Sequence, residues 1–396
     1  MHSVEEAAVA VASRIQRLEA ERVPLRDARG RILAESITAG RSLPGFDNSA
    51  MDGYAVRAVE LPATLPVHST IAAGESANER IPERVAVRIF TGAPLPKDLD
   101  TVVIQEDVTV EDTGNVTLPV APKGDNVRFT GEDIAAGEIA VRAGVRLGPG
   151  ELGLCAALGV TDVSCVRAPR VAVIATGDEL VDVASALGPS QIVDSSAHSL
   201  AALIRDVGGT PSYIGIAKDD PVTMAAMIAS ALDHDVVITT GGVSVGERDH
   251  VRAALASAGV QLELYKVAMK PGKPFSFAMN GRVPVFGLPG NPVSTYVAFE
   301  LFVRPALLAL QGAAVTTRPR APVVVARGYR KPAGRAHYIR ATVVRNGEHL
   351  IAHPHPKQGS AMLSSLVGCN ALVELAAELE LIEPDAVMPA ILFEAV

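Results

Sequence analysis

Between residues 169 and 292 the chain alternates so regularly that few folds remain open to it. Apolar runs at 170–175, 213–217, 235–240, 263–268 and 283–287 read as buried strands. Helical periodicity fills 197–207, 221–232 and 251–258, and these helices close on Gly208-Gly209 and Gly259. Strands that are apolar along their whole length, separated by helices, predict a doubly wound, mostly parallel sheet covered on both faces. Asn291-Pro292 opens a last helix, with Asn expected as N-cap and Pro at the first helical position.

The flanks have a different texture. Residues 1–41 read as helical and Arg-rich, and 42–138 as short β-rich runs punctuated by Gly, Pro and Asp, the pattern of a small β domain. Gly148-Pro149-Gly150 starts a further helix, so 139–168 is expected to rejoin 1–41 with the β domain as an insertion. The α/β unit then spans 169–317, and 318–396 turns back to β texture. The expected fold class is thus multidomain α/β plus β, in keeping with a chain of 396 residues.

Composition narrows the function classes. Lys+Arg 36 against Asp+Glu 44 gives a net charge of -8 with no basic block, so nucleic acid is not an expected partner. Trp is absent and aromatics make up 4%, too few for base-stacking platforms. Ser3-Val4-Glu5-Glu6 has capping-box spacing and is acidic where a signal peptide would be basic. The apolar stretch 301–310, broken by Arg304 and Pro305, is expected to be too short to cross a bilayer. Cys155, Cys165 and Cys369 form no CxxC and read as buried thiols. A cytoplasmic protein with no membrane partner is expected.

In open α/β sheets ligands sit beyond the carboxyl ends of the strands, and the chemistry-bearing residues fall there. Gly241-Gly242 would let backbone N–H groups approach an oxyanion. Lys270 and Lys273, held between prolines, supply positive charge. Glu179, Asp219, Asp220 and Asp249 are hard oxygen donors suited to Mg²⁺. Each has a plainer reading as a turn, an N-cap or a solvated cation, but five such groups follow successive strands. The pattern fits neither GxGxxG nor a P-loop, and GxSxG and HExxH are absent. His353-Pro354-His355 offers two imidazoles where zinc needs three or four ligands.

The inserted domain carries a denser string, 43–55, with Asp47 and Asp52 among turn glycines. Turn-forming Asp is the alternative reading, although a structural β segment has no evident need for both carboxylates. Thr91-Gly92-Ala93-Pro94 and Gly131-Glu132-Asp133 add two polar loops.

Taken in order, LPGFDNSAMDGYA, TGAPLP, RFTGEDI, TGDEL, TTGGVSVGERD, MKPGKPFSF and GLPGNPVS resemble the molybdopterin molybdenumtransferase family, which includes the E domain of gephyrin. The resemblance runs from about Leu43 to Ser294 and more loosely to Ser360. It implies an enzyme that takes adenylylated molybdopterin, molybdate and Mg²⁺ and yields molybdenum cofactor and AMP. It further implies an elongated homodimer, joined through 1–41 plus 139–168, with active clefts built by two subunits. By position, Asp52, Thr91, Asp133 and Glu179 match places important for activity. Asp219 and Asp249 match acidic places near Mg²⁺ and the nucleotide. Gly241, Gly242, Ser244, Lys270 and Lys273 match the substrate and molybdate pocket, which Arg340 and Ser360 would close. Pro289 and Pro292 shape the loop beside the pterin. The adenylyltransferase of the preceding step is implied as a partner. Ser196 stands where the family usually shows Asn, and Ala361 where Gly is common. Two alternatives remain: the adenylyltransferase itself, whose motif GGVSVGERD also resembles, and a scaffold paralogue that keeps the fold without the reaction.

Overall fold

The computed structural model describes residues 1–218, 220–241 and 250–394. Its centre is a six-stranded sheet in the order Thr210–Ala217, Arg170–Thr176, Val236–Thr240, Val283–Leu288, Ser276–Asn280, Gln261–Tyr265. The first four strands are parallel, as the alternation predicts; Ser276–Asn280 runs antiparallel to both its neighbours, so Gln261–Tyr265 again points with the first four. Strand Ser276–Asn280 is absent from the sequence-based expectation. Its signal was Asn280-Gly281, since the hairpin closes in the two-residue turn Gly281-Arg282, in which Gly281 has φ +57°.

Both sheet faces are covered. Leu200, Leu203 and Ile204 pack on one side with Val293, Val297, Phe302 and Leu307; Met224, Ile228, Ala254 and Leu255 cover the other. Full burial of each large apolar side chain is worth roughly 1.5–3 kcal/mol, so this double cover fixes where the strand ends lie.

One sequence expectation fails here. Residues 292–310 are not broken at Arg304-Pro305 but form a continuous 19-residue helix, long and apolar enough to cross a bilayer. A π-helical segment, Phe299–Val303, sits just before Pro305 and absorbs the hydrogen bond that the proline cannot donate. The helix is a core element: 78% of its most apolar 18-residue stretch is buried inside the protein.

The N-terminal expectation is also too generous. Only Val4–Ala12 is α-helical, capped reciprocally by Ser3 and Glu6. The chain then turns to strand Ala20–Pro24, which pairs antiparallel with Asp162–Val166, while Ile37–Thr38 pairs with Ile139–Val141. Val23, Leu33, Leu147, Cys155 and Cys165 share one small core across these segments, and all three cysteines are unpaired thiols. Burial pushes the thiols of Cys155, Cys165 and Cys369 upward.

Residues between these pairings build a second six-stranded sheet, ordered Thr101–Ile104, Gly53–Val56, Ala86–Ile89, Ala63–Ile71, Asn115–Leu118, Thr109–Val110. Gly53 is obligatory there, because a Cβ would lie 2.1 Å from the Val103 carbonyl oxygen. The C-terminal strands Arg320–Val325, Ala336–Asn346, His349–Pro354, Ala371–Leu375 and Val387–Leu392 close into a ring through their pairings. Met269–Lys270, from the α/β unit, adds to this barrel in parallel beside Ala336 and His337.

Candidate active site

Two adjoining cavities open at the carboxyl end of the central sheet. The larger, of about 710 Å³, lies over the ends of Arg170–Thr176 and Val236–Thr240 and is lined by Glu179, Gly241, Pro289 and Pro292. Two helix N-termini border it. Ser195 and Ser196 open helix Ser195–Asp206, and Asn291 and Pro292 open the long core helix. The positive dipole ends of the two helices make this rim favourable to anions, while Asp194 takes Ser196 N and Ala197 N and the Ser360 carbonyl takes Val293 N.

Gly241 has φ +84°, and a Cβ there would meet the Thr176 carbonyl oxygen at 2.4 Å. The Thr176 hydroxyl donates to the Thr240 carbonyl at 2.9 Å, so two strand ends are clasped beneath the glycine. Asp194, also on the wall, is committed elsewhere. One oxygen accepts from Ser196 N and Ala197 N at 3.1 Å, and the other from the Tyr213 hydroxyl at 3.2 Å. Burial first, and the Asp194 charge next, raise the Tyr213 phenol. Among the described residues Glu179 is therefore the cleft's one carboxylate not engaged in capping that helix.

The smaller cavity, about 230 Å³, shares Pro274, Pro289 and Asn291 with the larger. Lys270, Lys273, Arg335, Ser294, Gln358 and Ser360 line it, with no carboxylate among the described residues. Three cations and two hydroxyls around so small a volume form a receptor for a compact multiply charged anion. The two sides of the pocket are joined by backbone: Val293 N donates to the Ser360 carbonyl at 3.1 Å, and Ala336 N to Ala268 O at 2.9 Å. His337, paired with Lys270 across the added strand, is 2% exposed. Burial, then the charges of Lys270, Lys331 and Arg335, lower its pKa to about 4, so the imidazole is neutral near pH 7.

Arg340 differs from its expected place. Its guanidinium, 1% exposed, donates to Ser365 Oγ at 2.9 Å and to the Lys357 and Gly359 carbonyls at 3.1 Å, and it does not line either cavity. It braces the loop that presents Gln358 and Ser360, while Arg335 takes the place at the cavity. Arg335 is the last residue of the bend before strand Ala336–Asn346, whereas Arg340 lies inside the strand and is buried. Asn291 departs too. It occupies the N-cap position but makes no side-chain cap bond, and the residue lines both cavities.

Asp52, Thr91 and Asp133 lie on the inserted β body, and no residue of 42–138 lines either cavity. Asp52 accepts from Thr91 N at 2.8 Å and Thr91 Oγ1 at 2.7 Å. The backbone N–H first, then the hydroxyl, hold its carboxyl below the usual range, with Arg88 adding to the effect. Asp47 clasps Thr130 identically, with both contacts at 2.7 Å. A β segment therefore does use both carboxylates, each pinning a Thr-Gly turn, contrary to the expectation that it would not. Asp133 borders a separate surface hollow with Leu43, Pro44, Arg128 and Glu132. Asp219, Gly242, Ser244 and Asp249 lie outside the described residues.

Three family models cover nearly the whole chain. The MoeA N-terminal region (domain I and II) matches 2–159, the probable molybdopterin binding domain 172–309, and the MoeA C-terminal region (domain IV) 322–393. The molybdopterin molybdenumtransferase of Haemophilus influenzae is 38% identical over 366 residues, covering 91% of this chain and 90% of its own. This chain belongs to the molybdopterin molybdenumtransferase family. The Bacillus subtilis member is 36% identical, covering 90% of this chain and 86% of its own. A solved structure of the molybdopterin biosynthesis protein from Pyrococcus horikoshii superposes with a TM-score of 0.87 at 30% identity, covering 99% of this chain and 100% of that one. The family match thus includes the inserted sheet and the C-terminal barrel, not the α/β unit alone.

Proposed function

We propose that this chain inserts molybdenum into adenylylated molybdopterin, taking molybdate as the metal source and releasing AMP as molybdenum cofactor forms. The observation that carries the reading is the pair of adjoining cavities. The cleft rimmed by helix N-termini suits a phosphate-bearing pterin nucleotide, and the carboxylate-free pocket of Lys270, Lys273, Arg335, Ser294 and Ser360 suits a tetrahedral dianion. Exchange of metal–oxygen bonds for dithiolene sulfur needs the two substrates held together, so the chain's own part is positioning and charge neutralisation. Pro289 and Asn291, which border both cavities, lie where the two would meet.

Bound Mg²⁺ would neutralise charge on the phosphoanhydride. The described residues contain no group of three or more potential metal ligands; Asp219 and Asp249, the residues we put forward, are outside them. Chelation should abolish AMP release and Mg²⁺ restore it. The separation of Asp52, Thr91 and Asp133 from both cavities supports a homodimer, joined through 1–41 plus 139–168, in which the partner copy completes the cleft. The adenylyltransferase of the preceding step is the expected supplier of substrate, and the expected compartment is the cytoplasm.

The test is product formation. Molybdate-dependent AMP release from adenylylated molybdopterin is expected, and Lys273→Ala should raise the molybdate requirement at least tenfold with the fold intact. Pyrophosphate release from ATP, or a molybdate dependence unchanged in Lys273→Ala, would refute the assignment.

A further inference from the structure

Lys331 is 4% exposed, yet it lies in no ion pair among the described residues. Its ammonium has three donors, and three carbonyls receive them: Arg335 O at 3.0 Å, Ala377 O at 3.1 Å and Pro332 O at 3.5 Å. Glu378 and Glu380 act on it only through space. A buried cation whose hydrogen bonds all go to neutral carbonyls, with its charge offset only through space, is an arrangement that core packing alone does not favour.

Its location supplies a reason. The loop 331–335 leads directly into strand Ala336–Asn346. Lys331 N bonds Glu380 O and Gly334 N bonds Ala377 O, both at 2.8 Å, so the loop is tied to 377–380 at both ends. The Arg335 carbonyl that Lys331 holds is followed at once by the Ala336 N–H, which bonds Ala268 beside the Met269–Lys270 strand. The Nζ–carbonyl bond therefore sets Arg335 relative to Lys270, two of the three cations of the small cavity.

We propose that Lys331 is the positioning residue of the oxyanion pocket. It acts through Arg335, holding that residue at the cavity that Lys270 and Lys273 also line. This role rests on the molybdate reading above. It predicts a loss confined to the oxyanion, because the larger cleft shares no residue with the 331–335 loop.

The experiment measures KM for molybdate and for adenylylated molybdopterin separately, together with molybdate binding by calorimetry, in the full-length chain. Lys331→Met, which keeps the aliphatic bulk and removes the donors, should raise the molybdate KM about tenfold and leave the pterin KM within twofold. Lys331→Gln, which keeps two donors, should lie between and serves if the Met variant does not fold. Combining Lys331→Met with Arg335→Ala should be no worse than Arg335→Ala alone, since residues acting through one another are not additive. Val325→Ala, a barrel-core truncation, supplies a control of comparable thermal destabilisation and should leave the molybdate KM unmoved. Equal rises in both KM values, a molybdate KM raised as much by Val325→Ala, or multiplicative losses in the double variant would overturn the role. A wild-type chain without molybdate dependence would overturn the underlying reading and the role with it. A molybdate-dependent wild type with an unmoved Lys331→Met overturns the role alone.

Discussion

Gly241→Ala tests most directly whether the cleft floor is as constrained as its geometry indicates. The added Cβ would stand 2.4 Å from the Thr176 carbonyl oxygen and 2.9 Å from its hydroxyl. Ordinary contact begins above about 3.2 Å, so one strand end must yield by roughly 0.8 Å, a repacking that typically costs about 1–3 kcal/mol. Strand Arg170–Thr176 has little freedom to yield, because Val171 to Thr176 are all buried and Thr176 is bonded to Thr240. The backbone φ of +84° adds about 1 kcal/mol for a residue with a side chain. Together these give about 2–4 kcal/mol, or about 5–15 °C in Tm at the usual conversion for bodies of 150–250 residues. Gly290→Ala is the internal comparison: among the described residues its Cβ meets the Gly241 Cα at 3.3 Å and its N at 3.8 Å, and it should cost less than half as much. Calorimetry or urea unfolding of both variants, beside AMP release, reads the result. A Gly241→Ala protein within 2 °C of wild type and fully active would refute the reasoning.

Acid should weaken the barrel through His337. Its folded pKa of about 4 lies below the ordinary 6.5, so stability is complete above pH 6.5 and is lost as pH falls toward 4. Between pH 7 and 5 the loss is about 2 kcal/mol, and urea midpoints of wild type and His337→Gln should converge over that interval; parallel curves would remove the assignment. Glu300→Gln should cost about 3–5 kcal/mol in urea unfolding, because Glu300 is bound in bidentate fashion by Arg318 at 2.9 and 3.0 Å with Arg304 close by, and a loss under 1 kcal/mol would contradict it. Asp52→Asn keeps an acceptor for Thr91 and should leave Tm within about 2 °C while AMP release falls at least 100-fold. Undiminished release would return Asp52 to the role of turn clasp that Asp47 holds.

The α/β unit was legible because its evidence is local: apolar strands, helical periodicity and glycine stops within each segment. The barrel's closure was not, because it depends on long-range pairing, and strand His349–Pro354 gave no separate signal. At the site, Lys270, Lys273 and Ser360 stand at the cavity where their loops were expected. Arg340 misled because both arginines of GRAHYIR carry the same charge, and only burial separates them. Arg335, Asn291 and Lys331 escaped for a shared reason: their importance comes from which carbonyl or cavity the fold sets beside them.

The core beneath the central sheet has a consequence for dissecting the chain. Val4, Ala7 and Val11 from the first helix, and Tyr338, Leu372 and Ile391 from the barrel, belong to the same cluster as the long helix. A fragment cut to residues 172–309 would strip both lids from that cluster and leave Glu300 without Arg318. Its long apolar helix, cut one residue short, would then face water, and the piece should precipitate or partition into detergent. The two chain termini act as staves of one cask, and the middle does not hold without them.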